Sequence, residues 1–147
     1  MTEISDQIII KELSKKEEML QAYAIAKQRY AGLTKESFEQ QISEMIEMND
    51  FKMIGAFLNG EIVGITGYWL LRMLYCGRYI QLSSFIVDEE KRGLGIGKKL
   101  MKKIEEIGLK LNCEKIILDS YTENKKSHSL YYREGFYIRG FHFMRDL

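Results

Sequence analysis

The chain has 147 residues, of which 46% are hydrophobic and 29% are charged, and its formal net charge is +1. This composition predicts one domain over residues 1–147 with a packed core, and it disfavours a nucleic-acid partner, which needs a more basic surface. No run approaches the ~18 apolar residues of a membrane span and no signal peptide is recognisable, so we expect a cytoplasmic protein with no membrane partner. Two cysteines and two histidines are too few for a metal cluster, and no metal is expected.

The first third of the chain predicts one strand and two helices. Ile8–Glu12 is typical of a short strand. Ser14 and Glu17 have the spacing of a capping box, ahead of a helix predicted over Lys15–Tyr30. Thr34 is then placed to cap a second helix, whose apolar residues recur at helical spacing.

The middle of the chain predicts an antiparallel meander of three strands. Phe51–Leu58 and Glu61–Leu70 flank Asn59-Gly60, which is the strongest short-range signal for a hairpin. A further strand, Arg78–Val87, follows the loop Arg72–Gly77.

The last third predicts helix, strand, helix and strand in turn. The helix is Gly95–Lys110, the next strand Lys115–Ser120, the short helix about Lys125–Arg133, and the last strand lies within Tyr137–Arg145. This element order predicts an α/β fold of mixed α+β character, with a central sheet that is antiparallel at its start and helices on both faces.

A glycine-rich turn, residues 92–97 with the sequence RGLGIG, joins the strand Arg78–Val87 to the helix that follows. Glycines at a strand-to-helix turn let the backbone approach a ligand, and the positive end of the helix favours an anion. The turn therefore predicts a phosphate-bearing cofactor. Its spacing fails the dinucleotide fingerprint, because Lys98 stands where that pattern needs a sixth-position glycine. It fails the nucleoside-triphosphate loop as well, because Arg92 stands where that loop begins with glycine.

A second motif lies over residues 124–136, which read NKKSHSLYYREGF. Asn124, Tyr131, Gly135 and Phe136 are in register with the pattern N-x-x-A-x-x-x-Y-x-x-x-G-F, and the glycine turn fits R-x-x-G-x-G. With one helix and one strand between them, these two motifs resemble the GNAT superfamily of acyl-CoA-dependent N-acetyltransferases. The resemblance covers about residues 50–147 well and the N-terminal third only by its pattern of elements.

The resemblance implies a GNAT-like fold with a central mixed sheet of six to seven strands and about four helices on both faces. A seventh strand would have to be very short, merged with the sixth or absent, since the chain stops at Leu147. The implied activity is transfer of an acetyl group from acetyl-CoA, the cosubstrate, to a primary amine of a small molecule, peptide or protein. The expected partner is a small-molecule or peptide amine acceptor, and a homodimer is left open.

The same resemblance assigns roles to particular groups. The backbone of Phe85–Val87 would pair with the pantetheine arm like an added strand, and the Val87 N–H would donate to the thioester oxygen. Tyr131 is the candidate acid for the leaving thiolate, whereas Tyr132 points about 100° away around the helix. Asn124 would bond the pantetheine or cap its own helix. The residues expected to contact the cofactor are Phe85, Ile86, Val87, Arg92, Gly93, Leu94, Gly95, Ile96, Gly97, Lys98, Asn124 and Tyr131.

The base that deprotonates the amine is not identified from the sequence. Many relatives carry a carboxylate on the strand before the glycine turn, where this chain has Ser83 and Ser84. Asp119, Glu89, a chain of water molecules and an already neutral amine remain open as alternatives. The acceptor is expected between the first two helices, the loop Arg72–Gly77 and the final strand.

Two other classes of protein compete with the acetyltransferase hypothesis. A non-catalytic acyl-CoA-binding domain with a regulatory or sensing role would keep the cofactor site and perform no transfer. The missing carboxylates favour this class, and Tyr131 counts against it. A nucleotide-binding protein of another fold is disfavoured, because the glycine turn fails both nucleotide spacings.

Overall fold

The structure, a computed structural model, describes residues 4, 6–48 and 50–147. The chain divides into two compact units, residues 1–117 and residues 118–147. The first unit holds a sheet whose strands are β1 (Ile9–Glu12), β2 (Phe51–Leu58), β3 (Glu61–Met73), β4 (Gly77–Val87) and β5 (Lys115–Ile117). None of the helices in the described residues is both long and apolar enough to span a membrane.

The order of strands in the sheet follows the chain, β1-β2-β3-β4-β5. The first three pairings are antiparallel and the pairing of β4 with β5 is parallel, so the predicted mixed sheet with an antiparallel start is confirmed. Asn59 and Gly60 form the predicted hairpin turn, both with positive φ. The predicted loop Arg72–Gly77 is shorter than expected, because Arg72 pairs with Arg78 and Met73 with Gly77.

The described residues contain five α-helices: α1 (Lys16–Leu20), α2 (Tyr23–Arg29), α3 (Lys35–Glu47), α4 (Ile96–Lys110) and α5 (Lys125–Arg133). A 3-10 helix covers Glu89–Lys91. The predicted six to seven strands and about four helices are therefore wrong, since these residues form five strands and five α-helices. The continuous helix predicted over Lys15–Tyr30 is interrupted between Leu20 and Tyr23, which accounts for the additional helix.

The ends of these helices follow the capping chemistry of the sequence in part. The Thr34 hydroxyl accepts a hydrogen bond from the Ser37 N–H at 3.1 Å, which confirms Thr34 as the cap of α3. At the start of α1 it is Glu18, and not Glu17, that closes the turn, because its carboxylate accepts from the Lys15 N–H at 3.1 Å.

Both faces of the sheet are covered by helices, as predicted. On one face α1, α2 and α3 bury apolar side chains such as Met19, Ile25 and Ile42 against β2, β3 and β4. On the other face α4 buries Leu100 and Ile104 completely, and truncation of either to Ala would cost about 2–5 kcal/mol. Helix α4 approaches β3 closely: a Cβ on Gly64 would lie 2.8 Å from Ile96 Cγ2, so this strand position needs glycine.

In the second unit, residues 118–147, the described residues form one regular element, the helix α5. The strand predicted within Tyr137–Arg145 is not formed, and β5 ends at Ile117 and not at Ser120. A strand of this kind requires a hydrogen-bonded neighbour and burial of one face. Ile138 and Phe143 are instead 69% and 92% exposed, so the apolar residues of this segment alone were not enough to make a strand.

Candidate functional site

The turn between β4 and α4 is shaped by two glycines. Gly93 and Gly95 have φ angles of 83° and 80°, in the left-handed region that residues with a Cβ disfavour. Gly95 is the N-cap of α4, and as a glycine it has no side chain that could accept a hydrogen bond from the first N–H groups of the helix. The first N–H groups of a helix have no acceptor within the helix, so the N–H groups at Ile96, Gly97 and Lys98 are available to a ligand.

The charges around this turn are unfavourable to the helix unless an anion is present. The first turn of α4 contains no acidic residue, although it carries Lys98 and Lys99 at the positive end of the helix dipole. Arg92 is exposed at the start of the turn. The residues predicted from Arg92 to Lys98 thus lie together on one turn, and their chemistry suits a phosphate group.

Close to this turn, strand β4 has an open edge, meaning that no strand of the described residues pairs with its last residues on the side away from β3. Its ladder with β5 ends at the pair Gln81 and Ile117, well before β4 itself ends at Val87. The Asp88 N–H donates to Val63 O in β3 at 2.8 Å. Because N–H groups alternate between the two sides of a strand, the Val87 N–H points away from β3, towards the open edge.

A β-bulge interrupts β4 just before that edge. Ser83 pairs with Gly67 and Ile86 pairs with Ile65, so two residues of β4 lie opposite one residue of β3. Ser84, the first bulged residue, has a φ of 61°, which is uncommon for any residue but glycine. Opposite the bulge, a Cβ on Gly67 would lie 2.7 Å from the Phe51 ring, so this position is restricted to glycine.

Helix α2 and the residue after it fix the bulge and the end of β4 through side chains that the sequence did not indicate. The Tyr30 and Ser84 hydroxyl oxygens lie 2.9 Å apart, and Arg29 Nη2 donates to Phe85 O at 3.2 Å. The expected cofactor-binding carbonyl of Phe85 therefore already accepts a bond from the protein. No local pattern reveals these pairs, because 54 and 56 residues separate their members.

The side-chain amide of Gln28 fixes the first residues after β4. Its nitrogen donates to Asp88 Oδ1 at 3.2 Å, while its oxygen accepts from the Glu89 N–H at 3.1 Å. Asp88 Oδ1 also accepts from the Glu90 N–H at 3.1 Å and so caps the 3-10 helix that leads to the glycine turn. Gln28 is a further contributor to the site that the sequence analysis missed.

A cavity of about 450 Å³ lies beside the bulge, between α2, α3 and the sheet. Its wall is mostly apolar and includes no charged side chain among the described residues that line it: Ala26, Tyr30, Gly32, Leu33, Ser37, Phe38, Gln41, Ile42, Met45, Phe51, Met53, Ile65, Ser83 and Ser84. Helices α2 and α3, which fall within the first two predicted helices, border this cavity. The loop Arg72–Gly77 does not line this cavity.

Two tyrosines of the sheet, Tyr68 and Tyr79, do not line the cavity either. Tyr68 and Tyr79 are buried in the core, at 5% and 1% exposure. Burial, and secondarily the negative charge of Glu12, raise the pKa of Tyr68 to about 12. The Tyr68 phenol is therefore a core group that keeps its proton to a higher pH than an ordinary tyrosine does.

In the second unit, the motif over residues 124–136 runs from the N-cap of α5 to the residues just after its C-terminal end. Gly135 has a φ of 88°, and the Phe136 N–H donates to Tyr131 O at 2.9 Å while the Gly135 N–H donates to Tyr132 O at 3.1 Å. These two bonds form a Schellman motif. The rings of Tyr131 and Phe136 are in edge contact with centroids 5.9 Å apart, so the spacing Y-x-x-x-G-F has a structural reason in the helix end.

Three candidate side chains of the second unit differ in their surroundings. Asn124 is the N-cap residue of α5, yet its side chain makes no capping bond, so the capping alternative is not realised. Tyr131 is 9% exposed and Tyr132 is 56% exposed, which agrees with their different directions around the helix. Asp119 Oδ1 lies 3.4 Å from His142 Nδ1, and both side chains are more than half exposed.

The fold and the turn define a class of protein, in which an open strand of a mixed sheet leads through glycines into a helix N-terminus suited to an anion. The chain matches the Acetyltransferase (GNAT) family over residues 17–136, and it belongs to that family. The predicted GNAT membership and the predicted acetyl-CoA-dependent N-acetyltransferase class are confirmed by this match. Within the described residues, no three His, Cys, Asp or Glu side chains are grouped so as to hold a metal ion.

Two curated relatives and one solved structure illustrate the similarity. A spermine/spermidine N(1)-acetyltransferase of Bacillus subtilis is 30% identical over 110 residues, which cover 71% of this chain and 72% of that protein. A thialysine N-epsilon-acetyltransferase of Sus scrofa is 37% identical over 70 residues, 48% of this chain and 41% of that protein. AAC(6')-Iy in complex with the bisubstrate analogue CoA-S-monomethyl-acetylneamine has a TM-score of 0.81 at 18% identity, over 95% of this chain and 98% of that chain, which shows a shared fold.

Proposed function

We propose that this protein transfers the acetyl group of acetyl-CoA to the primary amine of a small molecule. The observation that carries the proposal is the succession, in one compact unit, of an open strand edge and an anion-binding turn. A pantetheine arm could pair with the edge while the pyrophosphate of the same cofactor is held at the turn.

The turn residues fit such a cofactor. N–H groups between Gly93 and Lys98 would bind the pyrophosphate oxygens, and the positive charges of Arg92 and Lys98 would lie beside them. An anion here would also offset the unfavourable position of Lys98 and Lys99 at the positive end of the dipole. The cofactor supplies the activated thioester, and the remaining steps depend on groups of this chain.

Polarisation of the thioester carbonyl is assigned to the Val87 N–H, which points away from β3 at the open edge of β4. The acceptor nitrogen forms a bond to the carbonyl carbon as the carbon–sulfur bond breaks. Tyr131 is assigned the proton that the departing thiolate takes up, and Asn124 a bond to the pantetheine. A tyrosine with a reference pKa of ~10 can protonate a thiolate of pKa ~8.5 only when the site assists the transfer.

The cavity beside the bulge is assigned to the acceptor. It lies against Ser83 and Ser84, on the strand that carries Val87. With no carboxylate among its described lining residues, we assign the removal of the amine proton to water and not to a dedicated side chain. The small amines named for the relatives, spermine, spermidine and thialysine, support a small-molecule acceptor.

Binding and transfer are tested in one experiment with two stages. Acetyl-CoA and CoA should raise the melting temperature well above any shift caused by ATP or NAD, since a ligand at ~100 times its Kd adds about 2.7 kcal/mol. Acetyl-CoA consumption is then followed with a panel of primary amines. Equal stabilisation by ATP would remove the cofactor assignment, and CoA binding without transfer to any amine would favour the non-catalytic acyl-CoA-binding domain.

A further inference from the structure

The cavity beside the bulge separates apolar and polar groups. Its apolar wall comes mainly from α3 and the sheet, with Phe38 and Ile42 of α3, Phe51 and Met53 of β2 and Ile65 of β3. These five side chains are at most 7% exposed, so the wall is part of the packed core. A volume of about 450 Å³ lies in the range of small-molecule sites, which is roughly 300–1,000 Å³.

The polar side chains among the described lining residues are uncharged and lie in two places. The hydroxyl pair of Tyr30 and Ser84, with oxygens 2.9 Å apart, marks the end at the bulge of β4. Ser37 and Gln41 lie one turn apart on α3. Next to the bulge, the guanidinium of Arg29 at Phe85 O adds a positive charge and no negative one.

We infer that the acceptor is an amine with one basic nitrogen and an apolar body, and not a polyamine. The inference rests on the proposed function and deepens it. An ammonium buried without a hydrogen-bonded counter-charge is strongly disfavoured, and the described residues that line the cavity supply none for a second nitrogen. An alkyl or aryl body, in contrast, gains affinity as it leaves water, by about fourfold for each buried methylene. The chain therefore differs in acceptor class from its spermine/spermidine-acetylating relative.

The decisive probes are hexylamine and 1,6-diaminohexane, which differ in a single terminal amino group. Each is titrated calorimetrically into protein saturated with CoA, at one fixed pH and ionic strength, because CoA permits binding without transfer. Hexylamine should bind at least about tenfold more tightly than the diamine and than spermidine. Affinity should also rise along butylamine, hexylamine and octylamine. Equal or tighter binding of the diamine or of spermidine, or no binding of hexylamine, would overturn the inference.

A matched pair of variants locates this preference in the cavity. Gln41→Glu places a carboxylate of nearly the same shape on the cavity wall, and the preference for hexylamine over the diamine should narrow by about two- to fivefold. Gln40→Glu adds the same charge on the neighbouring position of α3, outside the cavity, and should leave the ratio unchanged. An unchanged ratio in Gln41→Glu, or equal changes in both variants, would contradict the assignment. Acetyl-CoA consumption, measured on separate CoA-free samples of the same proteins, tests the proposed function independently, because the binding preference does not depend on turnover.

Discussion

Ser84 is the residue with the least usual backbone in the first unit's site, with a φ of 61° in the middle of a strand. A left-handed conformation at a non-glycine residue costs about 1–2 kcal/mol, and such strain persists where the surroundings impose it. Here the bulge against Gly67 and the hydroxyl contact with Tyr30 impose it. Because of this bend in the chain, Ser83 and Ser84 both border the cavity. Their place beside the cavity thus has a structural reason and does not require a chemical role for either hydroxyl.

Neither serine hydroxyl should therefore be essential for removing the amine proton. Ser83→Ala and Ser84→Ala are expected to lose less than about tenfold in kcat/KM, against the 10²- to 10⁴-fold typical of a lost general base. The rate should climb with pH well above neutrality, because amines of the lysine type have reference pKa values of ~10.4. A full pH profile of kcat/KM for the parent and both variants measures this.

The alternative base is tested by Asp119→Asn. The pair of Asp119 with His142 is more than half exposed on both sides, so its loss should change stability little. A collapse of turnover in this variant would establish Asp119 as a dedicated base if the kcat/KM of the parent protein also reaches a plateau near neutral pH. The assignment of the amine proton to water would then be rejected.

Tyr131 and Tyr132 are adjacent and chemically identical, and their environments differ, with 9% and 56% exposure. Tyr131→Phe should lower kcat by about 10²- to 10⁴-fold and leave the Kd for CoA nearly unchanged, because it removes a proton donor and keeps the ring beside Phe136. Tyr132→Phe is the control, for which a mild effect is expected. Steady-state kinetics with CoA titrations on both proteins decide the matter, and similar losses in the two variants would remove Tyr131 as the acid.

At the scale of the elements, the sequence predicted the hairpin and the cap of α3 from turn and capping chemistry, and the helix after the glycine turn from the helical spacing of its apolar residues. The helix predicted over Lys125–Arg133 is also present, as α5. The break between α1 and α2 was missed for a physical reason. Met19, Ala22 and Ile25 are all buried, so the apolar face continues through the break and the hydrophobic period does not reveal it. The strand within Tyr137–Arg145 was wrongly predicted because a local sequence pattern carries no information about a hydrogen-bonding neighbour.

The candidate site, too, was predictable only where its residues lie close together in the sequence. The glycine turn was recognisable because its conformational requirement is written in a few consecutive residues. The contributions of Gln28, Arg29 and Tyr30 depend on pairs 54 to 61 residues apart, which only the folded chain brings together.

The turn between β4 and α4 can be tested against a matched glycine elsewhere. Gly95 and Gly60 have nearly equal φ angles, 80° and 81°, so replacement by Val imposes a similar strain of about 1–2 kcal/mol at each. Gly95→Val should also abolish CoA binding, because it obstructs the approach of the cofactor to the backbone, while Gly60→Val in the β2–β3 turn should bind CoA normally. Melting temperatures and CoA titrations of both variants provide the measurement. Normal CoA binding by folded Gly95→Val would place the phosphate site elsewhere.

At the scale of the whole molecule, stability depends on a sheet that is covered on both faces. Because Tyr68 is buried in this core, its ionisation makes the free energy of unfolding depend on pH in the alkaline range. Its pKa is raised from 10.0 to about 12 in the folded protein, first by burial and then by the charge of Glu12. Between these pH values the unfolded chain releases the phenolic proton and the folded chain retains it, so the free energy of unfolding falls as the pH rises. The loss should reach about 2–3 kcal/mol by the upper end of this window, and below its lower end this contribution should be fully present.

Urea unfolding of the parent and of Tyr68→Phe, followed from pH 10 towards 12, measures this contribution. Tyr68→Phe keeps the buried ring and removes the titrating hydroxyl, so its unfolding free energy should decline less steeply over that window than the parent's. Tyr132→Phe removes an exposed phenol and should follow the parent. Parallel curves for the parent and Tyr68→Phe would mean that other groups dominate alkaline unfolding, and the burial of Tyr68 would then not govern the alkaline limit of the fold.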